Sequence, residues 1–410
     1  MVTAPGLSVA CPVREAGAED AVAGVPARWV ATPGSVPEAA ELLRACSELG
    51  LVVVPRGGGT KLDWGMPPTS VDVVVDTSGL TGVEHEAGDL VAVVGAGTPR
   101  AALQELLGAA GQELALDQPI PGPAAERSTI GGIVSTATAG PRRLLRGGPR
   151  DLVIGAALVR ADGVVSRSGG KVVKNVAGYD LARLLCGAYG TLGLVVEVAF
   201  RLHPRSQARS WLHCLAGHPD DAYRITRAVL DSQVVPSALE VERTARGWEL
   251  VTLLEGTPAG VQARAGRLSG LLGEGAVELE RPPPGWGIFP GAADDVLIKL
   301  TSSLPGVPRV LAGVEGLTAA AEVRGSAGSG VLHAAVPGGT AAADLAEILR
   351  RLRRVTAAHG GSAVVLRAPA GLRDAVDIWG PVPGLDLMRR LKREFDPQAR
   401  MSPGRFVGGI

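Results

Sequence analysis

The stretch VVVPRGGGTKLDWG, residues 52–65, places three consecutive glycines directly after an apolar run that predicts a buried strand. A glycine triplet costs conformational entropy, so it is expected where the backbone takes positive φ or lies close to another group. Successive backbone N–H groups in such a turn can bind an anion such as a phosphate. A loose surface turn explains an isolated triplet equally well, so other parts of the chain have to decide between the two.

Two common nucleotide-binding patterns do not fit these glycines. A Walker loop ends in Gly-Lys followed by Ser or Thr, whereas residues 59–61 read Gly-Thr-Lys. Gly95 and Gly97 could begin a dinucleotide fingerprint, but Arg100 stands where its third glycine belongs. The pattern therefore favours the diphosphate of a cofactor over a nucleoside triphosphate as the bound anion.

The composition excludes several classes of protein. A chain of 410 residues is long for one core and predicts two domains. Its 41 basic and 41 acidic residues balance, which argues against a nucleic-acid partner or a basic membrane-surface patch. The four cysteines and six histidines lack metal-ligand spacing, so no metal or iron–sulfur site is expected. No signal peptide and no apolar run of the ~20 residues that span a bilayer is found, which predicts a cytoplasmic protein.

Strands and helices alternate along the first 204 residues, which indicates an α/β domain. The predicted elements are a helix over 37–50, strands over 51–55, 71–78 and 90–97, a helix over 98–111 with Thr98 as N-cap, a hairpin over 151–170 and a helix near 179–187. A second glycine-rich block, STIGGIVSTATAGPRRLLRGG, covers residues 128–148. Its small residues either let a flat or large group lie against the backbone or allow tight helix packing.

From residue 205 a weak β-α-β-β-α order occurs twice, joined by the Pro- and Gly-rich linker RPPPGWGIFPGAADD at 281–295. This repeat predicts a ferredoxin-like antiparallel sheet covered by helices. The apolar runs WLHCLAG and GVLHAAVPG, at 211–217 and 330–338, predict exposed apolar area on these strands. The tail over 386–406 predicts a helix followed by an extended loop.

Four blocks of the chain resemble, in order and spacing, the FAD-binding oxidases and dehydrogenases of the vanillyl-alcohol oxidase type. They are PRGGGTKLDWG (55–65), TIGGIVSTATAGPR (129–142), GGKVVKNVAGYDLARLLCGAYGTLG (169–193) and FDPQARMSPGRF (395–406). Within that family the likeness is greatest to the FAD-binding E subunits of bacterial glycolate oxidases. The resemblance implies an α+β fold. It consists of a PCMH-type FAD-binding domain of two α/β subdomains (1–204), a ferredoxin-like antiparallel-sheet cap domain (205–372) and a C-terminal segment (373–410) that returns to the FAD domain.

The resemblance also implies which residues hold FAD. Those expected at its pyrophosphate are Gly57, Gly58, Gly59, Thr60 and Lys61. Those expected along the flavin are Ser128, Thr129, Gly131, Gly132, Ser135 and Thr136, and Val195 and Val196 would flank the adenine half. Lys171, Lys174, Asn175 and Tyr179 would face the flavin and the neighbouring domain, or else pack the two domains together.

The activity implied by the resemblance is that of an FAD-dependent oxidoreductase, the FAD-binding subunit of a glycolate oxidase complex. Such a complex oxidises glycolate, a 2-hydroxy acid, to glyoxylate. Its other members are a second FAD-containing catalytic subunit and an iron–sulfur subunit. This chain would meet the inner face of the plasma membrane only through these partners. Two alternatives stay open: a stand-alone FAD-dependent 2-hydroxy acid dehydrogenase and a flavin-free structural subunit.

Three departures from the family pattern refine this expectation. Thr60 stands where covalent flavoproteins of the family often carry His, which predicts non-covalent FAD. The paired histidines of the catalytic subunits have no counterpart, because His333 and His359 stand alone, so no catalytic residue is assigned. The usual Asn-Pro-Gly near the C-terminus is Ser-Pro-Gly at 402–404.

Overall fold

The computed structural model describes residues 7, 9–171, 180–317 and 321–410. The chain begins with a small mixed sheet. Its elements are strands β1 (Val13–Glu15) and β2 (Trp29–Ala31), helix α1 (Val36–Glu48), and strands β3 (Val53–Arg56) and β4 (Val73–Asp76). The strand order is β1-β2-β4-β3, with β4 parallel to both neighbours. Residues 73–75 of β4 are fully buried, because parallel strands are usually covered on both faces.

A second, antiparallel sheet follows. The elements of this region are β5 (Val83–Glu86), β6 (Val91–Gly95), α2 (Arg100–Ala109), β7 (Gln112–Glu113), α3 (Pro123–Arg127), α4 (Ile130–Thr136), α5 (Arg143–Arg146), α6 (Pro149–Leu152), β8 (Val153–Val159), β9 (Val165–Gly169), β10 (Leu194–Arg201) and β11 (His203–Pro204). The five-stranded sheet has the order β5-β6-β10-β8-β9, and β7 pairs with β11. The predicted hairpin is confirmed as β8 and β9, with the N–H of Gly163 donating to the carbonyl of Arg160 in its turn.

The cap contains two copies of the unit β-α-β-β-α-β. The first comprises β12 (Ala208–Ala216), α7 (Pro219–Asp231), β13 (Ala238–Thr244), β14 (Gly247–Gly256), α8 (Pro258–Leu272) and β15 (Val277–Leu279). The second comprises β16 (Val296–Thr301), α9 (Val307–Glu315), β17 (Glu322–Ser326), β18 (Val331–Val336), α10 (Ala342–Ala357) and β19 (Ala363–Arg367). The sheet order β15-β12-β14-β13-β17-β18-β16-β19 joins the two units edge to edge through β13 and β17. The predicted ferredoxin-like antiparallel cap is confirmed.

The two faces of the cap sheet differ in chemistry because side chains alternate along each strand. Alternate residues of β16 and β18, such as Ile298 and Leu332, belong to the core formed with α7 to α10. The opposite face carries Lys299 of β16 directly across from His333 of β18, which in turn lies across from Arg324 of β17. This polar face is the one in contact with the linker and the N-terminal domain.

The C-terminal segment contains α11 (Ala370–Ala375) and α12 (Leu385–Phe395) and then runs back beside β3. Met401 forms a parallel bridge with Val53, and the N–H of Ser402 donates to the carbonyl of Val53 at 2.8 Å. The domain limits themselves stay predictions: residue 204 ends β11, whereas residue 372 falls inside α11.

Three expectations from the sequence need correction. The helix near 179–187 is, in its described part, a short 3-10 helix at Leu181–Leu185. The N-cap of α2 is Pro99, not Thr98, whose hydroxyl lies 3.5 Å from the carbonyl oxygen of Gly82. All six residues of β18 are buried, so the expected exposed apolar area is absent there, because the linker and N-terminal domain cover this face.

Candidate functional site

A cleft of about 740 Å³ is lined by residues of both sheets of the N-terminal domain. Three backbone segments form most of its wall: the loop after β3 at 57–62, helix α4 with the preceding Thr129, and residues 189–195 leading into β10. Arg405 of the C-terminal segment adds a side chain from the far end of the sequence.

The cleft brings together most of the residues predicted from the sequence. Those that line it are Gly57, Gly58, Gly59, Thr60, Lys61, Thr129, Gly131, Gly132, Ser135, Thr136 and Val195. Ser128 lies just behind the wall, where its hydroxyl is 3.2 Å from the Thr60 hydroxyl. Val196 does not reach the cleft, because the next residue along a strand points to the opposite face, and it packs in the core against α1.

Contact between the two glycine-rich blocks explains much of the glycine in both. A Cβ at Gly57 would lie 2.1 Å from the Thr129 Oγ1 atom, and one at Gly58 would lie 1.7 Å from the Arg127 carbonyl oxygen. Gly59 has room for a Cβ but has a φ of +72°, which favours glycine. A Cβ at Gly131 would lie 2.8 Å from that of Ala96. The interpretation as a loose surface turn is therefore wrong.

Lys61 places a positive charge in the cleft wall. Its side chain is buried, with 8% of its surface exposed, and its Nζ lies 3.4 Å from the Thr60 hydroxyl. Among the described residues, no carboxylate oxygen lies within 4 Å of this ammonium group. Burial lowers the pKa of Lys61 to about 8, although the charge of Asp63 acts in the opposite direction. A buried ammonium without an ion pair favours an anionic ligand in this cleft.

Arg405 and Tyr189 were not predicted, although both belong to blocks that the sequence singles out. The Arg405 guanidinium donates to the carbonyls of Leu62 and Trp64 at 2.9 and 2.8 Å, so it fixes the chain just beyond the glycines. Burial lowers its pKa to about 10. Tyr189 has a φ of +55°, and its ring stacks on Phe406 with the centroids 5.4 Å apart. Each could have been noticed in the sequence because it directly adjoins a glycine of its block: Tyr189 precedes Gly190, and Arg405 follows Gly404.

The remaining predicted residues do not join this cleft. Lys171 lies on the outer surface, where its ammonium pairs with Glu84 and is 3.7 Å from a Glu86 oxygen. Lys174, Asn175 and Tyr179 lie outside the described residues. Across the ranges that are described, no group of three or more His, Cys, Asp or Glu side chains is placed to hold a metal ion.

Residues 27–169 match a protein family described as FAD binding domain. This range contains the loop after β3 and all of α4, which form two of the three walls of the cleft. The N-terminal domain is a PCMH-type FAD-binding domain. Its cofactor is FAD.

Three characterised or named relatives extend this assignment. The chain is 35% identical over 212 residues to glycolate oxidase subunit GlcD of Bacillus subtilis, an alignment that covers 52% of this chain and 44% of that protein. It is 38% identical over 157 residues to glycolate oxidase subunit GlcE of Escherichia coli, covering 38% of this chain and 43% of that protein. An uncharacterized FAD-linked oxidoreductase of Mycobacterium tuberculosis is 29% identical over 93% of this chain and 91% of its own length. The chain thus spans less than half of the length of the two glycolate oxidase subunits.

A solved structure supports the fold over nearly the whole chain. Chitooligosaccharide oxidase superimposes with a TM-score of 0.66 at 13% identity, covering 95% of both chains. This agreement includes the cap, which the family match does not reach, so the arrangement of FAD-binding domain plus antiparallel cap is shown.

The residues present fit FAD as a ligand. The walls of the cleft expose glycine backbone, and its buried ammonium has no carboxylate partner among the residues that the structure describes. Bound FAD would supply the capacity to accept two electrons from a substrate.

Proposed function

We propose that this chain is the FAD-binding subunit of a glycolate oxidase or dehydrogenase complex. The observation that carries the proposal is the cleft with Lys61, which is buried and has no ion pair within the described part of the chain. It lies beside the glycine loop of a domain similar to two glycolate oxidase subunits.

Within this proposal each segment of the cleft has a part in holding FAD. The backbone of Gly57, Gly58 and Gly59, together with Thr60 and Lys61, binds the pyrophosphate, whose negative charge pairs with the ammonium of Lys61. The residues along the flavin are Ser128, Thr129, Gly131, Gly132, Ser135 and Thr136. Val195 flanks the adenine half, and Val196 supports that strand from the core side.

The proposed reaction removes two electrons and two protons from glycolate to give glyoxylate. We propose that the electrons leave through the iron–sulfur subunit of the complex and that a second FAD-containing subunit provides catalytic groups. No helix in the described ranges is long and apolar enough to cross a membrane. We therefore propose a cytoplasmic chain that meets the inner face of the plasma membrane through its partners.

Reduction of an artificial dye by glycolate tests this proposal. The chain is assayed alone and after co-expression with the D-type FAD subunit and the iron–sulfur subunit of a bacterial glycolate oxidase. We expect a bound flavin in every preparation and dye reduction only in the complex. A preparation without FAD would refute the cofactor assignment, and full activity of the chain alone would refute the subunit role.

A stand-alone FAD-dependent 2-hydroxy acid dehydrogenase is the second candidate. The similarity to the M. tuberculosis FAD-linked oxidoreductase favours it, because the alignment covers 93% of this chain and 91% of that protein. Nearly the whole chain is therefore similar to a protein whose name does not describe it as a subunit. The outcome that favours this candidate is glycolate- or D-lactate-dependent dye reduction by the isolated chain. A flavin-free structural subunit does not agree with FAD as the cofactor.

A further inference from the structure

The lining of the FAD cleft, in the part of the chain that the structure describes, contains two basic side chains and no acidic one. The two cations are Lys61 of the glycine loop and Arg405 of the C-terminal segment. The proposed function gives Lys61 a role at the cofactor and gives none to Arg405. The matched FAD-binding family region, residues 27–169, does not extend to position 405 either. The second positive charge of the cleft is therefore unassigned.

Buried cations elsewhere in the described ranges each lie near a carboxylate. Five Lys or Arg residues are buried there. Arg142 and Lys392 have carboxylate oxygens at 2.8 and 2.6 Å, and Arg373 has one at 3.8 Å. The other two, Lys61 and Arg405, have no carboxylate oxygen of the described residues within 4 Å. The two buried cations that lack an acid are thus the two that line the FAD cleft.

The guanidinium of Arg405 is held in place by backbone carbonyls. It is 3% exposed, and it donates to the carbonyls of Leu62 at 2.9 Å and Trp64 at 2.8 Å. A guanidinium has five N–H donors, so these two bonds leave donors for a ligand. Burial of a charge is unfavourable unless the charge is paired, and neutral carbonyls do not supply a counter-charge. Arg405 is therefore a fixed cation that an anion in the cleft would stabilise.

The two cations reach the cleft at different points. Arg405 lies beside Tyr189, because the charges of these two groups act on each other's pKa. The charge that acts on the pKa of Lys61 is that of Asp63, and Arg405 does not contribute to it. The two cations therefore do not repel each other strongly, and an anion with several oxygens can contact both.

We propose that Arg405 supplies the second positive charge to the pyrophosphate of FAD and so makes the C-terminal segment part of the cofactor site. The inference rests on the pyrophosphate position proposed above, at the glycine loop. Each phosphate of this diester carries one negative charge, and Lys61 neutralises only one of them. Arg suits the second because its planar fork binds phosphate oxygens in fixed directions while it keeps its carbonyl partners.

The proposal couples FAD binding to the attachment of the C-terminal segment. Backbone bonds join this segment to the N-terminal domain: the N–H of Ser402 donates to the carbonyl of Val53 at 2.8 Å, and that of Met66 to the carbonyl of Arg405 at 3.2 Å. Without a ligand, the buried charge of Arg405 opposes this attachment. A ligand that binds one form of a protein preferentially stabilises that form, so FAD should hold residues 402–405 against the loop after β3.

Titration of the apoprotein with FAD at pH 7, followed by flavin fluorescence, tests the charge of Arg405. Arg405→Gln keeps an N–H donor for a carbonyl but removes the charge. We expect it to raise the Kd for FAD about tenfold or more, as for loss of a hydrogen bond to a charged group. Arg373→Gln is the matched control, because Arg373 is also buried in the C-terminal segment and donates to a backbone carbonyl, that of Ala23 at 3.2 Å, but does not line the cleft. Its Kd should be unchanged.

Two fragments of FAD locate the contact. ADP-ribose retains a pyrophosphate diester and lacks the flavin, whereas riboflavin retains the flavin and lacks phosphate. The Kd for ADP-ribose, measured by competition with FAD, should rise in Arg405→Gln by the same factor as the Kd for FAD. Riboflavin should bind Arg405→Gln and the unaltered chain equally.

Amide hydrogen exchange distinguishes binding from a purely structural role. In the unaltered chain, saturation with FAD should slow exchange at the N–H groups of Ser402 and Met66. In Arg405→Gln saturated with FAD this slowing should be largely lost. A purely structural role would instead raise exchange in Arg405→Gln equally with and without FAD, and this result would overturn the proposal.

The remaining outcomes separate this proposal from the pyrophosphate position on which it rests. A normal Kd for FAD in Arg405→Gln with a raised one in Lys61→Met would keep the glycine loop as the pyrophosphate site and refute only the role of Arg405. Weaker binding of riboflavin with unchanged binding of ADP-ribose would also refute it, because Arg405 would then face the flavin. No competition by ADP-ribose in the unaltered chain would refute both assignments.

Arg405→Lys supplies the test if circular dichroism shows that Arg405→Gln does not fold. A buried Lys loses its proton far more readily than Arg, so this variant adds a second group that must be protonated for FAD to bind. The rise of its Kd for FAD above pH 8 should therefore be steeper than in the unaltered chain. An equal rise in both would contradict a contact between position 405 and the pyrophosphate.

Discussion

The carbonyl oxygen of Arg127 packs so closely against Gly58 that a Cβ at position 58 would lie only 1.7 Å from it. This contact joins the loop after β3 to the end of α3, just before Ser128 and Thr129. The sequence suggested that the glycine was required by a phosphate or by positive φ. Positive φ occurs at the neighbouring Gly59 instead, and at Gly58 the chain itself occupies the space. The glycine run therefore holds the two walls of the cleft together as well as exposing backbone.

Alanine substitutions at Gly58 and Gly59 should distinguish the cost of a steric clash from the cost of a left-handed backbone conformation. Gly58→Ala forces the segment at Arg127 to move, so we expect a loss of stability of about 2 kcal/mol or more and loss of FAD binding. Gly59→Ala adds a methyl group in open space and should cost only about 1 kcal/mol through its left-handed conformation. Flavin-to-protein ratios and urea unfolding of the two variants measure these effects. Equal flavin content in both variants would contradict the role given to the Gly58 contact.

Much of the fold could be predicted because local chemistry and burial agree there. Helix α1 was expected over 37–50 and spans Val36–Glu48, since Ser35 caps it and its apolar residues recur at helical spacing. The cap repeat was likewise visible as a regular alternation of strand and helix patterns. Strands β1, β2 and β5 were missed, because each has only three or four residues and none belongs to a longer apolar run such as the one over 51–55 that reveals β3.

The candidate site was predictable only where its residues are consecutive. The glycine loop and α4 were found because small residues cluster in the sequence, and they line one cleft. Val196 was expected beside the cleft, but it follows Val195 on β10 and therefore points to the opposite face of the sheet, into the core. Arg405 was not predicted, because it reaches the cleft from the C-terminal segment, far from the glycine loop in the sequence.

The depressed pKa of Lys61 predicts a pH-dependent affinity for FAD. In the free protein this group loses its proton near pH 8, whereas a bound anion favours the charged form and raises its pKa. Binding therefore requires proton uptake above pH 8, and the Kd for FAD should rise by up to about tenfold per pH unit there. Below pH 8 the Kd should be flat. Titration of apoprotein with FAD between about pH 7 and pH 9, followed by flavin fluorescence, measures this.

Two variants at position 61 serve as controls for this pH effect. Lys61→Arg keeps its charge over the whole range, so its Kd for FAD should not rise above pH 8. Lys61→Met has no charge to lose and should bind weakly with a flat pH profile. If Lys61→Met shows the same rise as the unaltered chain, another group causes it and Lys61 does not face the anion.

FAD should be released completely by acid. Position 60 offers a hydroxyl, which is 3.2 Å from the Ser128 hydroxyl, and no imidazole for a flavin linkage. After precipitation in trichloroacetic acid, all flavin absorbance is expected in the supernatant, with a protein pellet that does not fluoresce. Yellow colour retained by the pellet would mean that a different side chain forms a covalent bond.

Arg142 ties the FAD domain to the cap through a buried network of charges. Its guanidinium donates to Glu113 at 2.9 Å and to Asp117 at 2.8 Å, and it lies 3.7 Å from Glu255 of β14. The guanidinium of Arg209 on β12 also donates a hydrogen bond of 2.9 Å to Glu255. Removing the central cation would leave carboxylates buried beside each other, which costs far more than loss of an exposed ion pair.

We therefore expect Arg142→Met to lower the free energy of unfolding by about 3–5 kcal/mol. Arg167→Met is the matched control, because Arg167 pairs with Glu197 at 2.9 Å with 58% of its side chain exposed, and it should cost at most about 1 kcal/mol. Urea unfolding followed by tryptophan fluorescence measures both. Arg142→Met should also divide the single unfolding transition into two, because the loss of this cation removes the ion pairs that couple unfolding of the FAD domain to unfolding of the cap. Equal losses in the two variants with a single transition would mean that the network does not couple the cap to the FAD domain.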